Sequence, residues 1–254
     1  PLIITNHGIM SVSAPNWFNR VYIKIIGKWT LNAADAVLCY TKEEKKKLIN
    51  SLHIDEKKIF IIPNGVNLDI FYPDPVEKVN RDPTLLWIGR LVKGKGVHFL
   101  IQATSLIIRK IPNIRLIIVG EGPEKEKIKK IIKYLNLKDS VSILDYIDYQ
   151  NLPAIYRKTD IFILPSMNEG VPKTVLEAMA CGKPIVISEF SRLRELICDS
   201  GLMFPKGDIY ALADAIVKLI KNETLRKELG KNARNKIIQN YSWDNTVQKT
   251  TEIM

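Results

Sequence analysis

From residue 83 onward, short runs of uninterrupted apolar residues alternate with stretches whose apolar positions recur every three or four residues. The continuous runs predict strands at 84–89, 114–119, 141–144, 160–164 and 184–188, with a short one at 201–204. The periodic stretches predict helices near 97–110, 124–135, 151–157, 174–180 and 192–198, then at 209–221 and 223–238. Strands that are apolar on both faces and separated by helices imply a parallel sheet covered on both sides. With right-handed crossovers this is a doubly wound α/β domain.

A smaller unit precedes it. Residues 2–5, 36–40 and 59–63 read as strands, with helices near 17–31 and 42–52 between them. Three strands are few for a doubly wound domain of its own. The stretch 67–81 is rich in Pro, Asp and Asn, lacks periodicity and reads as a linker. The expected organisation is therefore a first unit at 1–66, a linker at 67–81 and a main domain at 82–240. A terminal helix at 241–254 either packs locally or returns to the first unit. The chain starts in what looks like a buried strand, without an initiator Met or a basic leader, and reads as the inside of a larger protein.

Composition narrows the function. Hydrophobic residues make up 46% and charged residues 26% of 254, as expected for a globular protein rather than a disordered one. No apolar run reaches the roughly 18 residues that span a bilayer. Cys39, Cys181 and Cys198 form no CxxC pair, which favours a reducing, cytoplasmic compartment over a disulfide framework. His7, His53 and His98 show no metal-ligand spacing, so no metal is expected. Lys and Arg outnumber Asp and Glu by 38 to 27, and a charge of +11 suits an anionic ligand or an anionic surface. No basic module interleaved with aromatics appears, and nucleic acid is not an expected partner.

Two stretches place chemistry at strand ends. The first runs from Pro165 to Gly182: a buried strand ends, a loop follows with Glu169, Gly170 and Val171, and a helix begins beyond Pro172. In a parallel α/β sheet, ligands sit beyond the carboxyl ends of the strands. The first amides of that helix, on Lys173, Thr174 and Val175, would point into this space, where a helix end favours a diphosphate. Glu169 could hydrogen-bond sugar hydroxyls, and Glu177, eight residues on, could reach a ribose. Two solvated glutamates are the plainer explanation, and the strand–loop–helix context weighs against it. The second stretch, Trp87 to Gly96, repeats the pattern with Gly89, Arg90 and Lys95. Two fixed cations there would stabilise the charge that develops on a departing nucleoside diphosphate. The stretch has neither the Gly-Lys-Ser/Thr ending of a P-loop nor a GxGxxG fingerprint, and an ordinary basic loop is the competing reading.

Taken together, these residues resemble the retaining glycosyltransferases of family 4, the group 1 glycosyltransferases, which have the GT-B fold. The resemblance rests on Gly89-Arg90-Leu91-Val92 with Lys95-Gly96, on Val119-Gly120-Glu121-Gly122-Pro123, and on Glu169 through Cys181-Gly182-Lys183-Pro184. Ile62-Pro63-Asn64-Gly65-Val66, Phe71-Tyr72-Pro73 and Tyr241-Ser242-Trp243 extend it over essentially the whole chain. The resemblance implies that Glu169 and Glu177 contact the donor sugar and the nucleotide ribose, and that Arg90 and Lys95 lie at the diphosphate. It implies a donor-sugar contact for His7 from the acceptor-side domain, a UDP- or GDP-sugar as co-substrate, and no metal or other cofactor. It further implies retention by front-face attack, with the leaving phosphate helping to deprotonate the acceptor, and Gly122 among the donor-binding residues.

Of three departures from the family pattern the largest is the missing front of the acceptor-side domain, including its glycine-rich loop beside the donor, and the other two are local. Ser191-Arg192 stands where two glycines are common, and Asp145 stands where a glycine is frequent near the expected base pocket. Much of the acceptor-side domain, which chooses the acceptor, is not in this sequence. The expected acceptor is a carbohydrate or a lipid-linked one. Residues 16–30 mix aromatic, aliphatic and basic positions at helical spacing, suiting either an anionic membrane face, at the inner side of the membrane, or a helix half-buried on its own sheet. Rival readings are a fragment that binds nucleotide-sugar without turnover and a sugar-nucleotide epimerase of the same architecture.

Overall fold

The computed structural model describes residues 2–5, 23–74 and 82–253. The chain divides into two compact units, one of residues 1–65 with 240–254 and one of residues 66–239.

In the first unit, β1 (Ile3–Thr5), β2 (Ala36–Cys39) and β3 (Ile59–Ile61) form a parallel sheet in that order. Val37 pairs with both Ile4 and Ile59, so the apolar β2, buried at every position, is the central strand. A π-turn at Ile23–Gly27 leads into α1 (Lys28–Ala33), and the rest of the helix expected at 17–31 lies outside the described residues. Leu31 of α1 joins Val37, Cys39, Leu48, Leu52 and Ile59 in the core. The second helix, α2 (Lys42–Leu52), starts where the Thr41 side chain accepts from the Glu44 amide, and the Glu44 carboxylate accepts from the Tyr40 amide. It stops at His53, whose left-handed backbone returns its amide to Ile49.

The second unit holds six parallel strands: β4 (Thr84–Ile88), β5 (Arg115–Val119), β6 (Val141–Leu144), β7 (Ile161–Leu164), β8 (Ile185–Ser188) and β9 (Gly201–Phe204). Their spatial order is β6-β5-β4-β7-β8-β9. Strands β4, β7 and β8 are buried at every residue, which is why they read as unbroken apolar runs. The crossover helices are α3 (Val97–Ile107), α4 (Lys125–Tyr134), α5 (Leu152–Lys158), α6 (Lys173–Ala180) and α7 (Arg194–Ile197), and α8 (Ile209–Lys221) and α9 (Glu223–Asn240) follow the last strand. Helix α3 packs on α4 and α8, and α6 packs on α5, β7 and β8. The chain moves outward from β4 to β6, then returns to the other side of β4 and moves outward again from β7 to β9. The topological switch therefore lies between β4 and β7, and a doubly wound sheet opens its ligand crevice at that point.

Of the stretch 67–81, expected as a linker, residues 75–81 lie outside the described residues, and the remainder is not uniformly solvated. Phe71 is fully buried within the second unit, and Arg234 of α9 donates to its carbonyl at 2.8 Å and to that of Ala180 at 2.9 Å. A short apolar cluster, Ile70-Phe71-Tyr72, among Pro and Asp residues gives no helical or strand periodicity, which is why the sequence pattern misses it. The last helix, α10 (Trp243–Thr251), belongs to the first unit, where the Thr246 hydroxyl donates to the Pro63 carbonyl at 2.9 Å.

Candidate functional site

The two loops singled out in the sequence follow β4 and β7, the strands on either side of the switch. They are clasped to each other. The Met167 amide donates to the Gly94 carbonyl at 2.9 Å, and Gly96 lies so close to Pro165 that a Cβ there would stand 1.9 Å from the Pro165 carbonyl oxygen. Gly96 also has φ +68°, a left-handed conformation that a side chain resists. A second close approach, between the ends of β4 and β5, needs Gly120, whose missing Cβ would fall 1.9 Å from the Gly89 oxygen. These contacts explain the glycines at both strand ends by chain crowding.

Across the clasp, Lys95 Nζ lies 2.6 Å from Glu169 Oε1, and the buried Ser166 hydroxyl donates to the same oxygen at 2.6 Å. Among the described residues nothing hydrogen-bonds Glu169 Oε2. Lys95 retains partial exposure while Glu169 is buried, so the pair is screened less than a surface pair. Arg90 is exposed, and its guanidinium makes no hydrogen bond among the described residues. It is a cation open to solvent at the end of β4.

Glu177 lies in α6, buried, with Tyr156 of α5 donating to its Oε2 at 2.8 Å. Burial pushes its carboxyl above the ordinary glutamate range, opposed by the Tyr156 hydrogen bond and the Lys173 charge. Burial likewise pushes the Tyr156 phenol well up, reinforced by the Glu177 charge. At the start of α6, Pro172 occupies the cap without a side-chain hydrogen bond. The Val175 amide donates to the Pro172 carbonyl at 3.1 Å, so of the three amides expected to face an anion only those of Lys173 and Thr174 lack a backbone acceptor among the described residues. Gly170 has open space where a Cβ would be, and Val171 and Pro172 are half-buried beside it. Gly122 ends the loop after β5, its backbone pressed against Leu91.

The structure thus joins Lys95 to Glu169 across the switch point, while Gly89 and Arg90 follow β4 on the Lys95 side of it. His7 lies outside the described residues. Sequence reasoning missed Ser166 and Tyr156. Ser166 carried a usable signal, a hydroxyl residue three positions before the loop glutamate; Tyr156 carried none, because its partner is in another helix. The two local departures resolve in place: Asp145 pairs with Lys125 at the end of β6, and Ser191 opens a 3₁₀ turn at Ser191–Leu193. Among the described residues no group of three or more His, Cys, Asp or Glu side chains could hold a metal ion. No helix among them is long and apolar enough to cross a membrane.

Two parallel-sheet α/β units, the larger with basic and acidic loops clasped at its switch point, define an α/β protein of GT-B type. The sequence matches the glycosyl transferases group 1 over residues 70–236 and glycosyltransferase family 4 over residues 1–70. The chain belongs to the group 1 glycosyltransferases. It is 30% identical to an uncharacterized glycosyltransferase of Methanocaldococcus jannaschii, over 99% of this chain and 67% of that protein. It is 28% identical to the UDP-Gal:alpha-D-GlcNAc-diphosphoundecaprenol alpha-1,3-galactosyltransferase of Escherichia coli, over 99% and 68%. The structure resembles sucrose-phosphate synthase from Thermosynechococcus elongatus with a TM-score of 0.85 at 25% identity, covering 99% of this chain and 66% of that one. The chain spans about two thirds of the length of each of these relatives.

Proposed function

We propose that the second unit binds a nucleoside-diphosphate sugar in the crevice between β4 and β7, and that the whole protein transfers the sugar with retention to a carbohydrate or lipid-linked acceptor. The observation that carries this reading is the Lys95–Glu169 pair across the switch point. It sets a cation for the diphosphate against a carboxylate for the sugar, so one ligand can use both. Arg90, Lys95 and the Lys173 and Thr174 amides stabilise the charge that grows on the departing diphosphate. Glu169 Oε2 accepts from a sugar hydroxyl, and Glu177 accepts from the ribose. No side chain here is assigned as a covalent nucleophile. The acceptor hydroxyl attacks from the face the diphosphate leaves, and a leaving phosphate oxygen takes its proton. The contact of His7 with the donor sugar rests on the family resemblance.

A UDP-sugar is the proposed donor, supported by the UDP-Gal in the name of the Escherichia coli relative. That name also supports a lipid-diphosphate-linked acceptor. Exposed Ile25, Ile26 and Trp29 next to Lys28 support peripheral contact with an anionic membrane, at its cytoplasmic face. Co-sedimentation with anionic but not neutral vesicles checks this, and equal recovery with both contradicts it. The free thiols of Cys39, Cys181 and Cys198 suit the reducing compartment proposed.

The full activity is tested by incubating the protein with UDP-sugar and an isoprenoid-diphosphate sugar, then reading the anomeric configuration of the product by NMR. An α-linked product from an α-linked donor is expected. A β-linked product contradicts retention, and a free epimerised nucleotide-sugar without any glycoside contradicts transfer.

A further inference from the structure

Both proposed donor-binding glutamates share one design. One oxygen of each carboxylate is held by a buried hydroxyl, Ser166 on Glu169 and Tyr156 on Glu177, and the other has no hydrogen bond among the described residues. The second pairing is the less expected. Tyr156 is fully buried, and its ring is wedged edge-on against Phe71 at 5.8 Å and tilted against Phe162 at 5.8 Å. Phe71 is itself pinned by Arg234, which bonds the Phe71 carbonyl and the Ala180 carbonyl at the end of α6. The phenol oxygen therefore has a fixed place, 2.8 Å from Glu177 Oε2 and 3.2 Å from the carbonyl of Thr174 one turn earlier.

The Glu177 side chain carries three rotatable bonds, and a carboxylate that must accept from a vicinal diol gains from arriving with its plane already set. We infer that Tyr156 is a positioning residue for nucleotide recognition, which locks Glu177 through Oε2 so that its other oxygen is presented to the ribose. This deepens the proposed donor site and rests on its assignment of Glu177 to the ribose. Tyr156 touches no ligand, because it has no exposed surface. Its effect is confined to discrimination between a ribose and a sugar lacking hydroxyls. The diphosphate contacts of Arg90 and Lys95 come from the loop after β4 and do not pass through it.

The test compares wild type with Tyr156→Phe, which keeps the ring in its aromatic seat and removes one oxygen. Calorimetric affinities are measured for UDP and GDP, for their 2′,3′-dideoxy counterparts, and for inorganic pyrophosphate. The wild type is expected to prefer the ribonucleotide by about tenfold or more, as loss of hydrogen bonds to a carboxylate implies. In Tyr156→Phe the preference should shrink to about threefold or less, with pyrophosphate affinity unchanged, which also shows that the crevice is still folded. A retained preference in the variant overturns the role of Tyr156 while leaving Glu177 at the ribose. A wild type without any preference removes Glu177 from the ribose, and the inference falls with it.

Discussion

Lys95 and Glu169 are separated by 74 residues in the chain and by 2.6 Å in the structure. Each comes from the loop after one of the two central strands, and Ser166 shares the same carboxylate oxygen. The pair ties the basic half of the crevice to the acidic half. Replacing either partner therefore alters the other.

Lys95→Met is expected to weaken nucleoside-diphosphate binding by about 1–3 kcal/mol, the range for a lost charge-assisted hydrogen bond. Glu169→Gln is expected to weaken the nucleotide-sugar more than the bare diphosphate. Because the two side chains touch, their losses for the nucleotide-sugar should not add in the double variant. Additivity to within about 0.5 kcal/mol in titration calorimetry would show that the pair does not act as a unit.

Gly96→Ala should be severe, for two reasons that act together. The left-handed backbone at φ +68° disfavours any Cβ, and that Cβ would collide with the Pro165 carbonyl. A loss of about 2 kcal/mol or more is expected, with the clasp between the loops opened and diphosphate affinity reduced. Gly94→Ala, two residues earlier, has open space and serves as the control. Equal melting temperatures for the two variants would contradict the close approach.

Buried Glu177 gives a pH-dependent prediction. Its carboxyl is raised mainly by burial, and it faces Tyr156 of α5, Lys173 and Cys181 on or at the end of its own helix, and Tyr149 in the loop before α5. A carboxyl raised in the folded state costs nothing while protonated in both states, below its unfolded value. The cost enters as pH rises through the raised folded value. Glu177→Gln, which can still accept from Tyr156, is therefore expected to raise the melting temperature at neutral pH and to match wild type near pH 4. It should do so while losing nucleotide affinity. A stability gain that is largest in acid would reverse the sign and contradict the burial of an ionisable group here.

Much of this was legible beforehand in the residues themselves. The central strands announce themselves because both faces are covered, and the loops at 89–96 and 165–172 stand out because glycine and proline interrupt apolar runs at strand ends. Strand order is a different matter. Nothing in the residues of β4 says that β7, rather than a sequence neighbour alone, lies beside it, so the Lys95–Glu169 contact is invisible until the sheet is assembled. The burial of Phe71 and the grip of Tyr156 on Glu177 escape for the same reason. Each depends on a partner from a distant element, Arg234 in one case and α6 in the other.

The central claim is a nucleoside-diphosphate site at the switch between β4 and β7. Calorimetric titration of the purified chain with UDP, GDP and ADP, and then with their sugar conjugates, tests it most directly. Saturable one-to-one binding of one diphosphate, weakened in Arg90→Ala and Lys95→Ala alike, is the predicted result. Binding that is indifferent to both substitutions, or no binding of any of the three, would contradict it.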